Sequence, residues 1–206
     1  MKDKDKLAFA LLSAVIGGMV AVAIGTGRKR FGHVLVLYVT GGQLVKKDGT
    51  VIFPTYPTEV SGGDRVFTDD TSVALFTTCH NEVILNLGFG AEVLVEQEKS
   101  GTGEIYHSLN LIKGLINYVG LIPVTKWAEL GKGRKYIVKS RGFPVGALST
   151  SYAVLTQGDS AVISVTLGSV EVGDELNPSL SRTVNAGCYL VVKKGMPVNT
   201  NAPVCI

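Results

Sequence analysis

SGGDRVFTDDTSVALFTT, residues 61–78, is the stretch that decides the fold, because it joins turn-forming residues to an alternating apolar run. Its three acids raise the question of whether it is a catalytic loop or the boundary between two strands. Gly62-Gly63 can supply a tight bend, and the side chain of Asp64 can bond the turn backbone. The sequence DDT at 69–71 can form an Asx-type turn before VALF enters a strand. The acids therefore have structural roles, and catalysis is not needed to explain them.

Composition indicates one domain of ordinary size built mainly from short strands. The chain has 206 residues, of which 46% are apolar, so it can fill a core. It holds 25 glycines against 7 prolines, and Val, Ile and Thr recur throughout, a mixture that favours strands and tight turns. We expect a mainly β fold, either a sandwich or a rolled antiparallel sheet of short strands, behind one N-terminal transmembrane helix.

An uncharged segment near the N-terminus predicts that helix. Leu7–Gly25 runs 19 residues without a charge, close to the ~20 that cross a hydrocarbon core. We place the transmembrane helix at residues 7–27 and a short cytoplasmic tail at 1–6, with a signal peptide cut after 21–23 as the alternative. Lys and Arg are balanced across the span, so the folded domain that follows decides the orientation. The chain is expected to be a single-pass protein of the inner membrane, with its N-terminus in the cytoplasm and its main domain in the periplasm.

The predicted span carries small residues at every fourth position. Ser13, Gly17, Ala21 and Gly25 form this helix-packing row. In lipid, small residues let helix backbones approach closely, so such rows mark association faces. The row predicts contact with integral membrane protein subunits; the alternative is that Gly and Ala are simply frequent in membrane helices.

Charge is concentrated at the N-terminus. The net charge is +3, and residues 1–30 hold six Lys or Arg against two acids, which leaves 14 basic and 15 acidic residues in 31–206. A nearly neutral outer domain argues against nucleic-acid binding. One basic cluster, with Lys132, Arg134 and Lys135 at its centre, could contact lipid phosphates or an acidic partner, or could be a solvated loop that keeps a strand edge soluble.

Three cysteines, Cys79, Cys188 and Cys205, allow at most one intramolecular disulfide. Cys188 with Cys205 is the favoured pair, because a disulfide there would stabilise a C-terminal segment with little evident core. Three buried thiols are the alternative. The Cys79-His80 step lies between two strands, where adjacent residues point to opposite faces, so we expect a turn there and no metal or thiolate site.

No histidine of the sequence stands in a recognised catalytic or metal-binding motif. The glycine-containing segments at 88–90 and 131–135 lack the spacing of nucleotide-binding loops. We therefore predict no enzymatic activity, no cofactor and no metal, and a small-molecule substrate is not expected.

Alternating apolar residues predict the strands. EVILNL at 82–87 alternates strictly, and AVISVTL at 161–167 places its first, third, fifth and seventh residues on one face. SLNLIKGLINYVG at 108–120 predicts two strands that meet at a turn at Gly114. A short helical turn is predicted in VTKWAELGKG, after Pro123.

The order of these motifs resembles the FecR domain, the exported domain of bacterial sigma-factor regulators, which also occurs in proteins without a regulatory partner. Gly63–Thr68 is similar to the family's Gly-Asp-x-Val/Ile-x-Thr element, and Ser72–Leu75 resembles the Ser-x-Ala-x-Leu strand that follows it. Leu109–Val119 resembles the Leu-x-x-Gly-x-Val hairpin, and Val162–Val172 resembles the closing hairpin. The match runs from residue 34 to residue 172.

The resemblance implies a FecR-like β domain at 34–173, followed by a C-terminal extension at 174–206. In regulatory members a cytoplasmic anti-sigma segment of substantial length precedes the membrane span, whereas only MKDKDK precedes it here. We therefore expect the exported domain without the anti-sigma activity.

Together these features predict a non-enzymatic, membrane-anchored periplasmic β domain that acts as an accessory or scaffold subunit of a larger membrane complex. Its partners are expected to be integral membrane protein subunits, contacted through the helix and the outer domain. A FecR-type envelope sensor or regulator is the second hypothesis. An envelope enzyme or carbohydrate-binding module is the third, and one tryptophan and no clustered pair of carboxylates stand against it.

Overall fold

The structure is a computed structural model that describes the chain from residue 35 onward. The described residues are 35–40, 42–54, 58–70, 73–78, 83–99, 105–120, 137–147 and 150–206. The predicted span at 7–27 and the predicted helical turn after Pro123 lie outside them. Within these ranges no helix is long and apolar enough to cross a membrane.

Seventeen strands lie within the described residues, which confirms the mainly β prediction. They are β1 (Leu35–Thr40), β2 (Gln43–Val45), β3 (Val51–Ile52), β4 (Thr58–Val60), β5 (Arg65–Phe67), β6 (Val73–Thr78), β7 (Val83–Leu87), β8 (Glu92–Lys99), β9 (Ile105–Gly120), β10 (Ile137–Ser140), β11 (Phe143–Ala147), β12 (Ser151–Gln157), β13 (Ser160–Leu167), β14 (Ser169–Gly173), β15 (Ser181–Asn185), β16 (Cys188–Lys193) and β17 (Val204–Cys205). A 3-10 helix, Val198–Thr200, precedes β17.

The strands form two sheets that share β9. Sheet A has the order β4, β1, β6, β7, β9, β12, β13, β16, β17. Sheet B has the order β3, β2, β5, β8, β9, β10, β11, β14, β15. Neighbours in both orders are antiparallel, except that β9 and β10 are parallel.

The shared strand β9 changes sheets near Gly114. Before this point it pairs with β8, and after it with β7 and β12. The register against β8 shifts between Glu92 and Val93, and Gly114 has a φ of 92°, so a bulge and a glycine bend the strand. The prediction of two strands meeting at a turn was wrong, because the chain bends here without reversing its direction.

The pairing pattern of the first half of the domain recurs in the second. In the first half, the hairpin of β6 and β7 lies in sheet A and is followed by β8 in sheet B. In the second half, the hairpin of β12 and β13 lies in sheet A and is followed by β14 in sheet B. The N-terminal half of β9 pairs with β8, and its C-terminal half pairs with β7. In the same way, β15 pairs with β14, and β16 pairs with β13. The C-terminal half of β9 also pairs with β12, as β1 pairs with β6. The fold thus repeats one strand order, with β9 common to both copies.

The facing sides of the two sheets bury one apolar core. Alternation along β12 and β13 buries Tyr152, Val154, Ala161, Ile163 and Val165. Leu167, which the sequence placed on the same face, is instead 64% exposed. The cause is a register shift: Tyr152 pairs with Val165 but Ser151 pairs with Leu167, so the alternation is interrupted before Leu167.

Polar contacts cross the core between the sheets. The Tyr152 hydroxyl of sheet A donates to the Val145 carbonyl of sheet B at 3.4 Å, and the hydroxyls of Ser140 and Thr156 lie 2.6 Å apart. The Tyr152 ring stacks on that of Tyr118 with centroids 4.6 Å apart. Burial, and secondarily Tyr118, raises the pKa of the Tyr152 phenol well above its ordinary value, so this group is neutral in the folded protein.

The Asp64 carboxylate ties the turn before β5 to the hairpin of β2 and β3. It is 2% exposed and accepts hydrogen bonds from the backbone N–H groups of Ser61 at 2.9 Å and Lys47 at 3.0 Å. The Lys46 ammonium completes the set at 2.6 Å. The sequence assigned Asp64 to a local turn, and the structure extends that role to a contact between distant segments.

Thr68 joins the end of β5 to the turn between β7 and β8. Its hydroxyl donates to the Gly88 carbonyl at 2.6 Å and accepts from the Ala91 N–H at 2.8 Å. The Asp and Thr of the GDRVFT segment therefore both satisfy buried backbone groups.

The segment 174–206, expected as an extension, is integral to both sheets. β15 pairs with β14 and β16 pairs with β13, which buries Val184, Leu190, Val192 and Val198 in the core. The Asp174 carboxylate accepts from the N–H groups of Leu176 at 2.9 Å, Asn177 at 3.2 Å and Val198 at 3.0 Å. The expectation of little core in this segment was wrong, because its apolar residues complete the second copy of the strand pattern.

Candidate interaction surface

The outward side of sheet A carries a row of apolar side chains across four neighbouring strands. Leu115 of β9 pairs with Leu155 of β12, Leu155 pairs with Val162 of β13, and Val162 pairs with Val191 of β16. Partners in register point to the same side of a sheet. The residues before and after them, such as Val154 and Ile163, point into the core. The four side chains therefore lie side by side on the outer surface.

A second row runs beside the first and is also uncharged. In register from β9 to β17 it comprises Asn117, Ala153, Ser164, Tyr189 and Val204. We call the two rows together the apolar face. Leu155 is 42% exposed, Val191 36% and Val204 50%, so the face is open to solvent on its β12 to β17 side. An uncharged, apolar surface across several strands is typical of a protein contact site.

The outward side of sheet B is different, because Glu96 and Lys139 at its centre are engaged in polar contacts. Glu96 accepts from Asn110 at 3.0 Å and from Ser108 at 3.2 Å, and its carboxylate lies 3.2 Å from the Lys139 ammonium. Lys139 also contacts Glu175 at 3.5 Å. This side is occupied by internal polar contacts, which makes sheet A the better candidate for binding.

The structure places two acids of the opening stretch, Asp64 and Asp70, in different surroundings. Asp64 accepts hydrogen bonds from backbone N–H groups and pairs with Lys46. Asp70 is exposed and lines a groove beside Gly114. In the part of the chain that the structure describes, no three His, Cys, Asp or Glu side chains come together closely enough to hold a metal ion. The absence of enzymatic activity stays a prediction.

Of the site residues expected from the sequence, the structure brings together Cys188 and Cys205. They face each other in the register of β16 and β17 and form a disulfide with an S–S distance of 2.04 Å. The small-residue row (Ser13, Gly17, Ala21 and Gly25) and the basic cluster (Lys132, Arg134 and Lys135) lie outside the described residues.

The apolar face was not predicted from the sequence, since its members come from five strands that are far apart in the chain. A signal was present in AVISV and YLVVK, where Val162 and Val191 interrupt the alternation of apolar and polar residues. A strand that is apolar on both sides is typical of one covered on both sides. The hairpin of β10 and β11 was likewise not predicted, although Arg141-Gly142 between two apolar runs has the form of a two-residue turn.

No family model matches the chain, and no curated protein matches it in sequence. Among solved structures it is similar to two crystal structures, at 1.65 and 2.50 Å resolution, of a "putative anti-sigma factor" from Parabacteroides distasonis ATCC 8503. Each alignment has a TM-score of 0.47 and 15% identity, and covers 68% of this chain. The chain spans 57% of the length of that protein. A likeness of this size carries no conclusion about function, and the FecR resemblance stays a prediction.

Proposed function

We propose that this chain is a non-enzymatic β domain that binds another protein through the apolar face and acts as an accessory or scaffold subunit of a membrane complex. In this proposal residues 7–27 hold the domain on the periplasmic side of the inner membrane. The observation that carries the proposal is the uncharged row formed by Leu115, Leu155, Val162 and Val191 on the solvent side of sheet A.

The size of the apolar face supports an accessory role more than an autonomous one. Five strands about 4.8 Å apart and two rows about 7 Å apart give an area on the order of 300 Å². A stable protein interface buries roughly 800 Å² on each partner, so the face alone supports only a weak contact. A second attachment through a membrane helix would raise the effective concentration of the domain at its partner and make such a contact sufficient.

The chemistry of the face specifies the partner surface. The two rows contain no Asp, Glu, Lys or Arg, so a charged partner would lose hydration without gaining an ion pair. The partner is therefore a protein that presents an uncharged, mainly apolar surface close to the membrane.

The test is co-purification of the full-length chain from membranes with its partner subunits, followed by native mass spectrometry. Leu155→Asp places a charge in the middle of the face and should reduce the yield of complex at least tenfold. Leu176→Asp is the matched control, because Leu176 is 80% exposed but lies in the loop after β14, away from the face. It should leave the complex intact.

Gly17→Leu tests the second attachment separately. It adds bulk to the small-residue row and should weaken the complex without unfolding the β domain. Recovery of the wild-type chain as a free monomer, or equal complex yields for Leu155→Asp and wild type, would overturn the proposal. Co-purification with a sigma factor would instead support the second hypothesis from the sequence, a FecR-type envelope regulator.

A further inference from the structure

A groove of about 640 Å³ lies where β9 passes from one sheet to the other. Turns from both sheets surround it: Phe89 comes from the turn between β7 and β8, Arg141 from that between β10 and β11, and Leu155 from the end of β12. Lys113 contributes from β9 itself. Phe89 is 55% exposed and Leu155 is 42% exposed, so apolar surface is open to a ligand beside the two cations.

Arg141 occupies a backbone position that suits another residue type better. Ser140 pairs with Phe143, so Arg141 and Gly142 form a two-residue turn, and their φ angles are 56° and 86°. Positive φ at both positions is the type I′ geometry, for which Asn-Gly is the preferred sequence. Among the described residues Arg141 is the one non-glycine residue with positive φ. Arginine is therefore a strained choice at this turn.

The side chain of Arg141 adds a second unfavourable feature. Its Nε is buried and has no hydrogen-bond partner. No ion pair or hydrogen bond joins the Arg141 side chain to the described residues. Nothing in that part of the chain therefore compensates for the strained backbone or for the buried Nε. Strain of this kind at a groove is a sign that the side chain acts on something outside the fold.

The charges that line the groove are balanced in number. Lys113 and Arg141 face two acids in the lining, Asp70 and Glu92. Glu92 already pairs with Arg65, which lies outside the groove, at 3.5 Å. Arg141 has no ion pair among the described residues, so its guanidinium is the cation of the groove that is open to an anion.

We propose that the groove binds a carboxylate carried by an extended segment of a partner protein, with the Arg141 guanidinium as the anion-binding group and Phe89 and Leu155 contacting apolar side chains next to it. Guanidinium and carboxylate match in geometry, and the flanking apolar surface selects a peptide acid over a free inorganic anion. The inference rests on the proposed function in taking the ligand to be a protein, and it adds a second site beside the apolar face.

The test uses the full-length chain in detergent micelles and two peptides, acetyl-Ala-Leu-Glu-Leu-Ala-amide and its Gln counterpart. Binding is followed by isothermal titration calorimetry and by the NMR signals of the arginine side chains. The Glu peptide should bind at least tenfold more tightly than the Gln peptide, since a hydrogen bond to a charged group is lost in the latter. The signal assigned to Arg141 should shift with the Glu peptide.

Arg141→Asn separates binding from folding. Asn suits the type I′ turn, so this variant should melt at the same temperature as wild type or roughly 2–4 °C higher, while losing the preference for Glu. Arg182→Gln is the control, because Arg182 also has a buried, unpaired Nε but lies in β15, away from the groove. It should retain the preference for Glu.

Three results would overturn the proposal: no saturable binding of the Glu peptide, equal affinity for the two peptides, or an unchanged preference in Arg141→Asn. A lower melting temperature of Arg141→Asn would show that Arg141 stabilises the turn and would remove the argument from strain. If these results appear while Val191→Asp, which changes the apolar face outside the groove, still disrupts the membrane complex, the groove fails and the apolar face stands.

Discussion

Gly114 lies directly against Ala91, and no side chain fits between them. A Cβ at position 114 would be 2.5 Å from the Cβ of Ala91 and 2.7 Å from its Cα. The contact lies where β9 leaves sheet B, and Gly114 has a φ of 92°. The bend of the strand shared by both sheets therefore depends on glycine for its space and for its backbone conformation.

Gly114→Ala should strongly destabilise the domain. Overpacking and the left-handed backbone together predict a loss of roughly 2–4 kcal/mol in the free energy of unfolding. Gly146→Ala is the control, because a Cβ there would meet nothing within 4 Å. Urea denaturation of both variants measures the difference, and a Gly114→Ala variant as stable as Gly146→Ala would contradict the close contact.

Asp64→Asn tests the carboxylate that joins two distant turns. The carboxylate oxygens of Asp64 accept from the N–H groups of Ser61 and Lys47 and from the Lys46 ammonium. In asparagine an NH₂ group replaces one of the two oxygens, so at least one of these donors would lose its acceptor. We expect a loss of about 1–3 kcal/mol in unfolding free energy, since a buried donor would lose its acceptor and the partly exposed Lys46 ammonium would lose its charged partner.

Asp48→Asn is the matched control for Asp64→Asn. Asp48 is exposed and accepts a local hydrogen bond from the Thr50 N–H at 2.9 Å, which lowers the pKa of its carboxyl. The control should change stability much less than Asp64→Asn in the same denaturation assay. Equal effects of the two substitutions would show that the long-range contacts of Asp64 contribute little.

Tyr152→Phe should reduce the sensitivity of the fold to alkaline pH. Because the folded-state pKa of Tyr152 is raised, the stability contributed by its neutral form is complete below the ordinary tyrosine pKa of about 10 and is lost as pH rises above it. Urea denaturation at pH 8 and pH 11 should show a smaller loss for Tyr152→Phe than for wild type. Identical losses would contradict a buried, neutral phenol.

The double variant Cys188→Ser and Cys205→Ser should lose about 3 kcal/mol of stability, the value expected for a loop of this length. The two cysteines are 17 residues apart in sequence. The chain has three cysteines, so denatured wild-type protein without reductant should react with a thiol reagent at one site per chain. Three reactive thiols would show that the disulfide is absent from the purified protein.

Local features of the fold could be predicted where they depend on hydrogen bonds or on apolar alternation among residues close together in the sequence. The turn role of Asp64 and the buried faces of β7 and β13 follow from short sequence patterns. The path of β9 was not predictable, because a glycine inside an apolar run can mark either a reversal or a bulge. Only the partners of the strand distinguish the two.

The sequence by itself determined the mainly β class, the turns at glycine and aspartate, and which residues of β7 and most of β13 face the core, since these depend on backbone preferences and a two-residue period. Tertiary structure alone decided that β9 joins two sheets, that four strands align Leu115, Leu155, Val162 and Val191 on one surface, and that Arg141 reaches a groove beside Phe89. These arrangements depend on pairing between residues far apart in the chain, and the register of that pairing is set by how the whole core closes.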